Sequence, residues 1–235
     1  MHTTPLYSTT GIPLIAAVAH PAAAQTACAT VLCADLHGYG ALVEQLPPLR
    51  VLPLVEEFLR ILSAAVLQHG GLICHLSEAA MMAGFGVGDP RHTQIHEALE
   101  AAREIQRRFT PVSASWRRSL AIDTGVGIGI HRGDVAIGLH GSGGDNHAAL
   151  VGDAANVAAL LCKRARVGEM LLTAAVYPAC RGVRAGAAQV DSAHYLHLPA
   201  VRLAGRSTPL QVWCAPAAAN LPRQDAALPP PAPQH

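Results

Sequence analysis

Three features of this 235-residue sequence predict an α+β domain whose first six elements form a unit with helices on one face of an antiparallel sheet. Apolar residues make up 51% of the chain, enough for a buried core and too many for a disordered protein. Short apolar runs of strand length alternate with two long amphipathic patterns of helical period. Their order, β-α-β-β-α-β, is that of a ferredoxin-like split unit, here followed by a C-terminal extension.

Ala29 to Ala34 is an apolar run of buried-strand length, and Gly38 and Gly40 after it permit a tight turn. Leu49, Leu52, Val55, Phe58, Leu59, Leu62 and Val66 recur at helical spacing with Glu56, Glu57 and Arg60 between them, and His69-Gly70-Gly71 ends that helix. Two apolar runs, Leu72 to Leu76 and Ala79 to Phe85, are close enough to form a hairpin through Ser77 and Glu78. Ile95, Leu99, Ala102, Ile105 and Phe109 mark a second amphipathic helix. Leu120 to Ile130 and Val135 to Leu139 read as strands joined across a His131-Arg132-Gly133-Asp134 turn. A Gly-rich loop (Gly141 to Asn146), a helix from about Asp153 to Arg166, a strand at Glu169 to Thr173 and closing strands near Val201 and Val212 complete the domain.

Lys and Arg number 17 against 16 Asp and Glu, a balance without the basic excess of a nucleic-acid binder. The six cysteines show no C-x-x-C spacing and several sit in apolar runs, so free thiols in a reducing, cytoplasmic compartment are expected. No segment has the length and apolarity of a membrane span. Gly11 to Ala24 resembles a signal-peptide core but lacks a positive n-region and contains His20 and Pro21, which favours an N-terminal arm over residues 1–25. The main domain is expected over 26–215. Residues 216–235, rich in Pro and Ala, bury too little surface to offset their ordering entropy and read as a disordered tail.

Several of these segments resemble one family. Cys33-Ala34-Asp35-Leu36-x-Gly38-Tyr39, His69-Gly70-Gly71 and Met82-Ala83-Gly84-Phe85-Gly86 are similar to the first half of the class III adenylate and guanylate cyclase domain. Gly127-Ile128-Gly129-Ile130-His131-x-Gly133-Asp134-Val135 and Val151-Gly152-Asp153-Ala154-Ala155-Asn156-Val157-Ala158-Ala159 match its second half, and Val201 to Leu210 its closing segment. The resemblance runs from about Ala29 to Ala215 with the motifs in order. It implies the class III nucleotide cyclase fold and head-to-tail pairing, with composite ATP or GTP sites between two domains. In such a site one chain holds two Mg²⁺ or Mn²⁺ ions through two aspartates. The other supplies a purine-reading Lys with Asp or Thr, a ribose-orienting Asn and an Arg that meets charge on the transferring phosphate.

Carried over residue by residue, that pattern is incomplete here. Asp35 matches the first metal carboxylate, and without a metal it reads as a cap on the turn that follows. The Gly38-Tyr39-Gly40 turn can offer backbone N–H groups to phosphate. The second metal position falls on Ala79, and Glu78 stands where the family has Gly; one residue along a strand, its carboxylate faces the other way. The purine-reading positions hold His75 and Ala149. Asn156 matches the ribose-orienting residue, while the arginine position four residues on is Leu160. Arg164 lies one more turn along, about 6 Å down the axis, a poor substitute.

Asp35 and Asn156 are retained, whereas His75, Ala79, Ala149 and Leu160 are replaced. Each lost ligand or transition-state cation costs roughly a hundredfold or more in rate. The sequence therefore reads as a catalytically inactive cyclase homology domain that dimerises through the Gly141 to Leu150 arm and the sheet face, with itself or with another cyclase domain. Such a module needs no cofactor. One alternative is an active nucleotidyl cyclase with a rebuilt Asp35 and Glu78 metal pair. Another is a soft-metal or redox module of Cys33, Asp35, Cys74 and His75. Gly143-Gly144-Asp145 shares letters with the diguanylate cyclase signature, but Asn146 and His147 follow where that signature has acids, so it reads as a loop coincidence.

Overall fold

The computed structural model describes residues 25–87, 94–140, 147–180, 195–203 and 206–215. The N-terminal arm, the tail from 216, the Gly141 to Asn146 loop, and Ala204 and Gly205 of the closing segment lie outside those residues. In chain order the elements are β1 (Gln25–His37), α1 (Tyr39–Gln45), α2 (Pro48–Gln68), β2 (Leu72–Leu76), β3 (Ala80–Phe85), α3 (Ile95–Leu120) and β4 (Gly125–His140). Then follow β5 (His147–Val151), α4 (Asp153–Arg164), β6 (Met170–Thr173), α5 (Tyr177–Cys180), β7 (Leu196–Val201) and β8 (Leu210–Ala215).

The eight described strands form one sheet in the order β2-β3-β1-β4-β6-β8-β7, with β5 paired to β4. The β4–β6 pair is parallel, and α4 is its crossover; the other described pairs are antiparallel. Side chains on a strand alternate between faces, so β1 serves two cores. Leu32, Ala34 and Leu36 pack under α2 and α3 with Phe58, Leu62, Leu99, Ile105 and Phe109. Ala29, Val31 and Cys33 point the other way, onto Ala154, Ala155, Ala158 and Cys162 of α4.

Three expectations are corrected. The second long helix does not end near Phe109. It continues through Pro111 to Leu120, because Trp116 extends its apolar face and packs edge-to-face on Phe109 at 5.4 Å, which in turn meets Phe58 at 5.0 Å. Leu120 is therefore helical, and Ala121, in the left-handed region at φ 57°, ends the helix. The turn at His131 to Asp134 is absent: β4 runs unbroken, since β1 pairs with it along its full length from Gln25↔Ile137 to His37↔Gly125. The far half of β4 then pairs with β5, Ala136↔Val151 to His140↔His147, to make a long hairpin. Finally, the residues after Gly38 are a short helix rather than an open turn.

Candidate functional site

Two glycines of β4 decide how α4 sits on the sheet. A Cβ on Gly129 would lie 2.3 Å from the Ala158 carbonyl oxygen and 2.3 Å from the Cys162 nitrogen, so the helix backbone rests directly on this residue. A Cβ on Gly127 would lie 2.5 Å from His37 Nε2 and 3.1 Å from the Ala165 carbonyl oxygen. The Cys162 thiol donates to the Gly127 carbonyl oxygen at 3.3 Å and fixes the last turn of α4 there. Gly127 is the register partner of Asp35.

Asp35 lies near the end of β1, half-buried, between Ala80 of β3 and Gly127 of β4. Burial pushes its carboxyl above the usual carboxylate range, against the pull of His37, Lys163 and the Leu36 N–H. The Leu36 N–H donates to the Ala79 carbonyl oxygen at 2.7 Å, which brings Ala79 against the residue following Asp35. The apolar run from Ala79 predicts a strand that opens there, with Glu78 on the opposite face by alternation. Instead, the Ser77 N–H donates to the Ala80 carbonyl at 2.9 Å and the Ser77 hydroxyl accepts the Ala80 N–H at 3.1 Å. That closes a turn over Glu78 and Ala79, so strand alternation does not govern either side chain. Glu78 is exposed and lines an apolar cleft with Tyr39, Val43 and Leu46 of the α1 region and Pro48, Val51, Leu52 and Val55 of α2.

Gly38 adopts φ 84°, and a Cβ there would lie 2.3 Å from the Asp123 carbonyl oxygen, so only glycine fits. Its own carbonyl accepts the Leu42 N–H at 3.0 Å, which leaves Tyr39 and Gly40 in the first turn of the seven-residue α1. His75 is exposed on β2 opposite Met82, just after a bulge at Cys74. Ala149 lies on β5 opposite Gly138. Asn156 is exposed in the first turns of α4, its N–H bonded to the Gly152 carbonyl at 3.2 Å. Leu160 packs with the buried cluster of Val157, Leu161, Leu171, Leu198 and Val212. Arg164 is the last residue of α4 and half-buried.

The fold thus places Asp35 beside the Ala79 turn and on one strand face with His37, within the electrostatic reach of Lys163. It does not bring Asp35 to Asn156 within one chain: Lys163 is seven residues beyond Asn156, about 10 Å along the helix axis. His37 and Lys163 were missed as site residues. Strand alternation from Asp35 points to the first, and Lys163 is the sole lysine of the chain, but its electrostatic pull on Asp35 is a product of how α4 docks. Burial pushes the thiols of Cys33 and Cys74 up to about 12, which keeps them protonated core side chains. Among the described residues no three or more His, Cys, Asp or Glu side chains converge as metal ligands.

At the other end of α4, Asp153 pairs with Arg206 of the closing segment, beside His131. His131 Nδ1 and the Thr173 hydroxyl are 2.6 Å apart. Burial pushes the His131 imidazolium down to about 4, and Arg206 pushes the same way against Asp153. Unfolded histidine titrates near ~6.5. The neutral ring therefore favours the folded state fully above that pH, and this contribution is lost as pH falls toward about 4. Comparing urea midpoints at pH 7 and pH 5, His131→Gln is expected to show a smaller acid loss than the wild type; equal losses would refute the neutral, half-buried state of the ring.

Residues 22–206 match the family model of the adenylate and guanylate cyclase catalytic domain. An adenylate cyclase from Anabaena cylindrica is 29% identical over 136 residues, which cover 58% of this chain and only 27% of that protein. Among solved structures, the adenylyl cyclase CyaB from P. aeruginosa superposes with a TM-score of 0.72 at 20% identity, over 87% of this chain and 100% of that one. The non-canonical dimeric guanylyl cyclase domain of the RhoGC fusion protein from the aquatic fungus Blastocladiella emersonii gives 0.65 at 15% identity, over 83% and 98%. The likeness extends to the mixed α+β fold with its eight-stranded sheet. Among the described residues no helix is long and apolar enough to cross a membrane. The family's motifs therefore fall, in order, on the elements that build one continuous sheet and its α4 crossover, and the chain belongs to the adenylate and guanylate cyclase catalytic domain family.

Proposed function

We propose that this chain is a catalytically silent cyclase domain that acts as a dimerising regulatory module in intracellular cyclic-nucleotide signalling. The observation that carries this reading is the use made of Leu160. The position at which the family aims an arginine at phosphate is occupied by a half-buried apolar side chain that packs against a core cluster, and an isobutyl group cannot meet phosphate charge. Asp35 reinforces the point, because residue 79 in the turn beside it is an alanine with no ligand atom on its side chain, and the groups whose charge acts on Asp35 are His37 and Lys163. That donor set does not fit two divalent cations, which need clustered oxygen ligands. His75 is exposed without a lysine's reach, and Ala149 has no hydrogen-bonding side chain for a purine edge. Asn156 and the Gly38-Tyr39-Gly40 region remain as the parts that can still meet ATP or GTP.

The rebuilt pair of Asp35 with Glu78 is the weaker reading: Glu78 borders the α1–α2 cleft and is not among the charges acting on Asp35. The long β4–β5 hairpin offers an arm for pairing with a second copy or with another cyclase domain, in keeping with the dimeric fungal relative. The test is a cyclase assay with ATP and with GTP, in Mn²⁺ and in Mg²⁺, on protein whose mass is followed by light scattering. A dimer without product is expected. Product that disappears in Asp35→Ala would overturn the reading.

A further inference from the structure

Among the described residues six large apolar side chains are exposed, and three of them, Val43 at 51%, Leu49 at 87% and Leu52 at 53%, sit together on α1 and the start of α2. Isolated exposed leucines need no explanation, but these border the apolar cleft between the two helices, about 250 Å³ in volume, with Tyr39 as an aromatic wall and Glu78 at the rim. The register shows which part of the chain comes near it. Ala34, Ile128, Met170 and Ala215 form one row across β1, β4, β6 and β8, and β8 runs parallel to β1. The chain therefore leaves Ala215 at the end of the sheet where β1 runs into α1. Ala215 packs, like Tyr39 and Leu46, against the core under α2 and α3, so it leaves on the face that carries the cleft. Beyond it, Leu228-Pro229-Pro230-Pro231-Ala232-Pro233 is a proline-dense run whose fixed φ angles favour the polyproline II conformation, the form that docks in apolar grooves with aromatic walls. Leu228 lies 13 residues past Ala215, a reach of about 40 Å at 3.1 Å per residue. Four strand spacings, about 20 Å, separate β8 from the β2–β3 turn that bears Glu78.

We propose that Leu228 to Pro233 of the chain's own tail docks in the α1–α2 cleft as a polyproline-type strand, covering Val43 and Leu52 and meeting Tyr39 with its proline rings. Arg223, the one Lys or Arg beyond Ala215, precedes that strand, and Glu78 offers it a carboxylate at the rim. The cleft lies at the opposite end of β4 from the β5 arm, so a docked tail leaves that arm free to pair. The inference goes beyond the functional reading and stands whether or not the chain makes cyclic nucleotide.

The probe is a fluorescent peptide of residues 223–235, titrated by anisotropy into the full chain and into a full-chain variant carrying Leu228→Ser, Pro230→Gly and Pro231→Gly. A tethered segment competes at a high effective concentration, so the peptide is expected to bind the tail variant and to bind the wild type roughly tenfold or more weakly. Adding Leu52→Asp to the tail variant is expected to abolish binding; Leu52 is exposed, and circular dichroism checks that the fold is kept. No binding to the tail variant, equal affinity for the tail variant and the wild type, or binding that survives Leu52→Asp overturns the proposal. A wild-type deficit that disappears when the chain is diluted to monomer shows that a second copy supplies the tail, and overturns the intramolecular assignment.

Discussion

Gly129→Val lowers the unfolding free energy by about 3 kcal/mol or more, or prevents folding outright. The atoms that a Cβ at this position meets, the Ala158 oxygen and the Cys162 nitrogen, are backbone of α4, so no side chain can swing aside. The helix itself must lift. That movement strips Ala154, Ala155, Ala158 and Cys162 from one core cluster and strains Val157 and Leu161 in another, because the same helix serves both. It also pulls the Cys162 thiol from Gly127. Gly133 is the internal control: a Cβ there meets the Ala154 Cβ at 3.2 Å and His131 Nε2 at 3.5 Å, contacts that a small adjustment relieves. Gly133→Ala is accordingly expected to change stability by less than about 1 kcal/mol. Guanidinium denaturation of both variants decides the matter, and a Gly129→Val protein as stable as the wild type would mean that α4 does not rest on β4 here.

Ala79→Asp raises Mn²⁺ affinity on the order of a hundredfold, since a second carboxylate facing a hard divalent cation changes both charge and ligand count. The bond from the Leu36 N–H to the Ala79 carbonyl holds residue 79 against the strand end that bears Asp35. Position 79 lies in a turn closed by Ser77 and Ala80, where aspartate is a favoured residue and needs no rearrangement. Asp35→Asn in the same background should abolish the gain. Isothermal titration of Mn²⁺ into the three proteins tests this, and an Ala79→Asp affinity equal to the wild type would show that residue 79 does not face the ion. Restoring the arginine is a different kind of change. Leu160→Arg takes an apolar side chain out of a packed cluster, so it is expected to cost stability where Ala79→Asp does not.

Much of the fold was legible because it is local. The apolar spacing from Val51 to Val66 is the buried face of α2 itself. The end of α3 was not legible, because the residue that extends it past Pro111 is Trp116, whose value lies in meeting Phe109 and Phe58 across the core. The same holds at His131 to Asp134, where Gly133-Asp134 reads as a turn but the length of β1 demands a continuous partner. At the site, the separation of Glu78 from Ala79 by strand alternation failed because one side-chain bond, Ser77 hydroxyl to the Ala80 N–H, takes both residues out of the ladder.

By itself, then, the sequence determined the kinds of elements, most of their order, and the identity of the side chains at positions 35, 75, 79, 149, 156 and 160. Those identities need no coordinates, because a methyl or an isobutyl group lacks the chemistry of a carboxylate or a guanidinium wherever it sits. The surroundings of Asp35 were decided by tertiary structure alone. The groups that act on it come from two residues further along β1, from the β2–β3 turn and from the far end of α4, which docks through the close approach that Gly127 and Gly129 permit. Burial and Coulomb interactions depend on distance through space, and distance along the chain carries no information about it once packing has folded remote segments together.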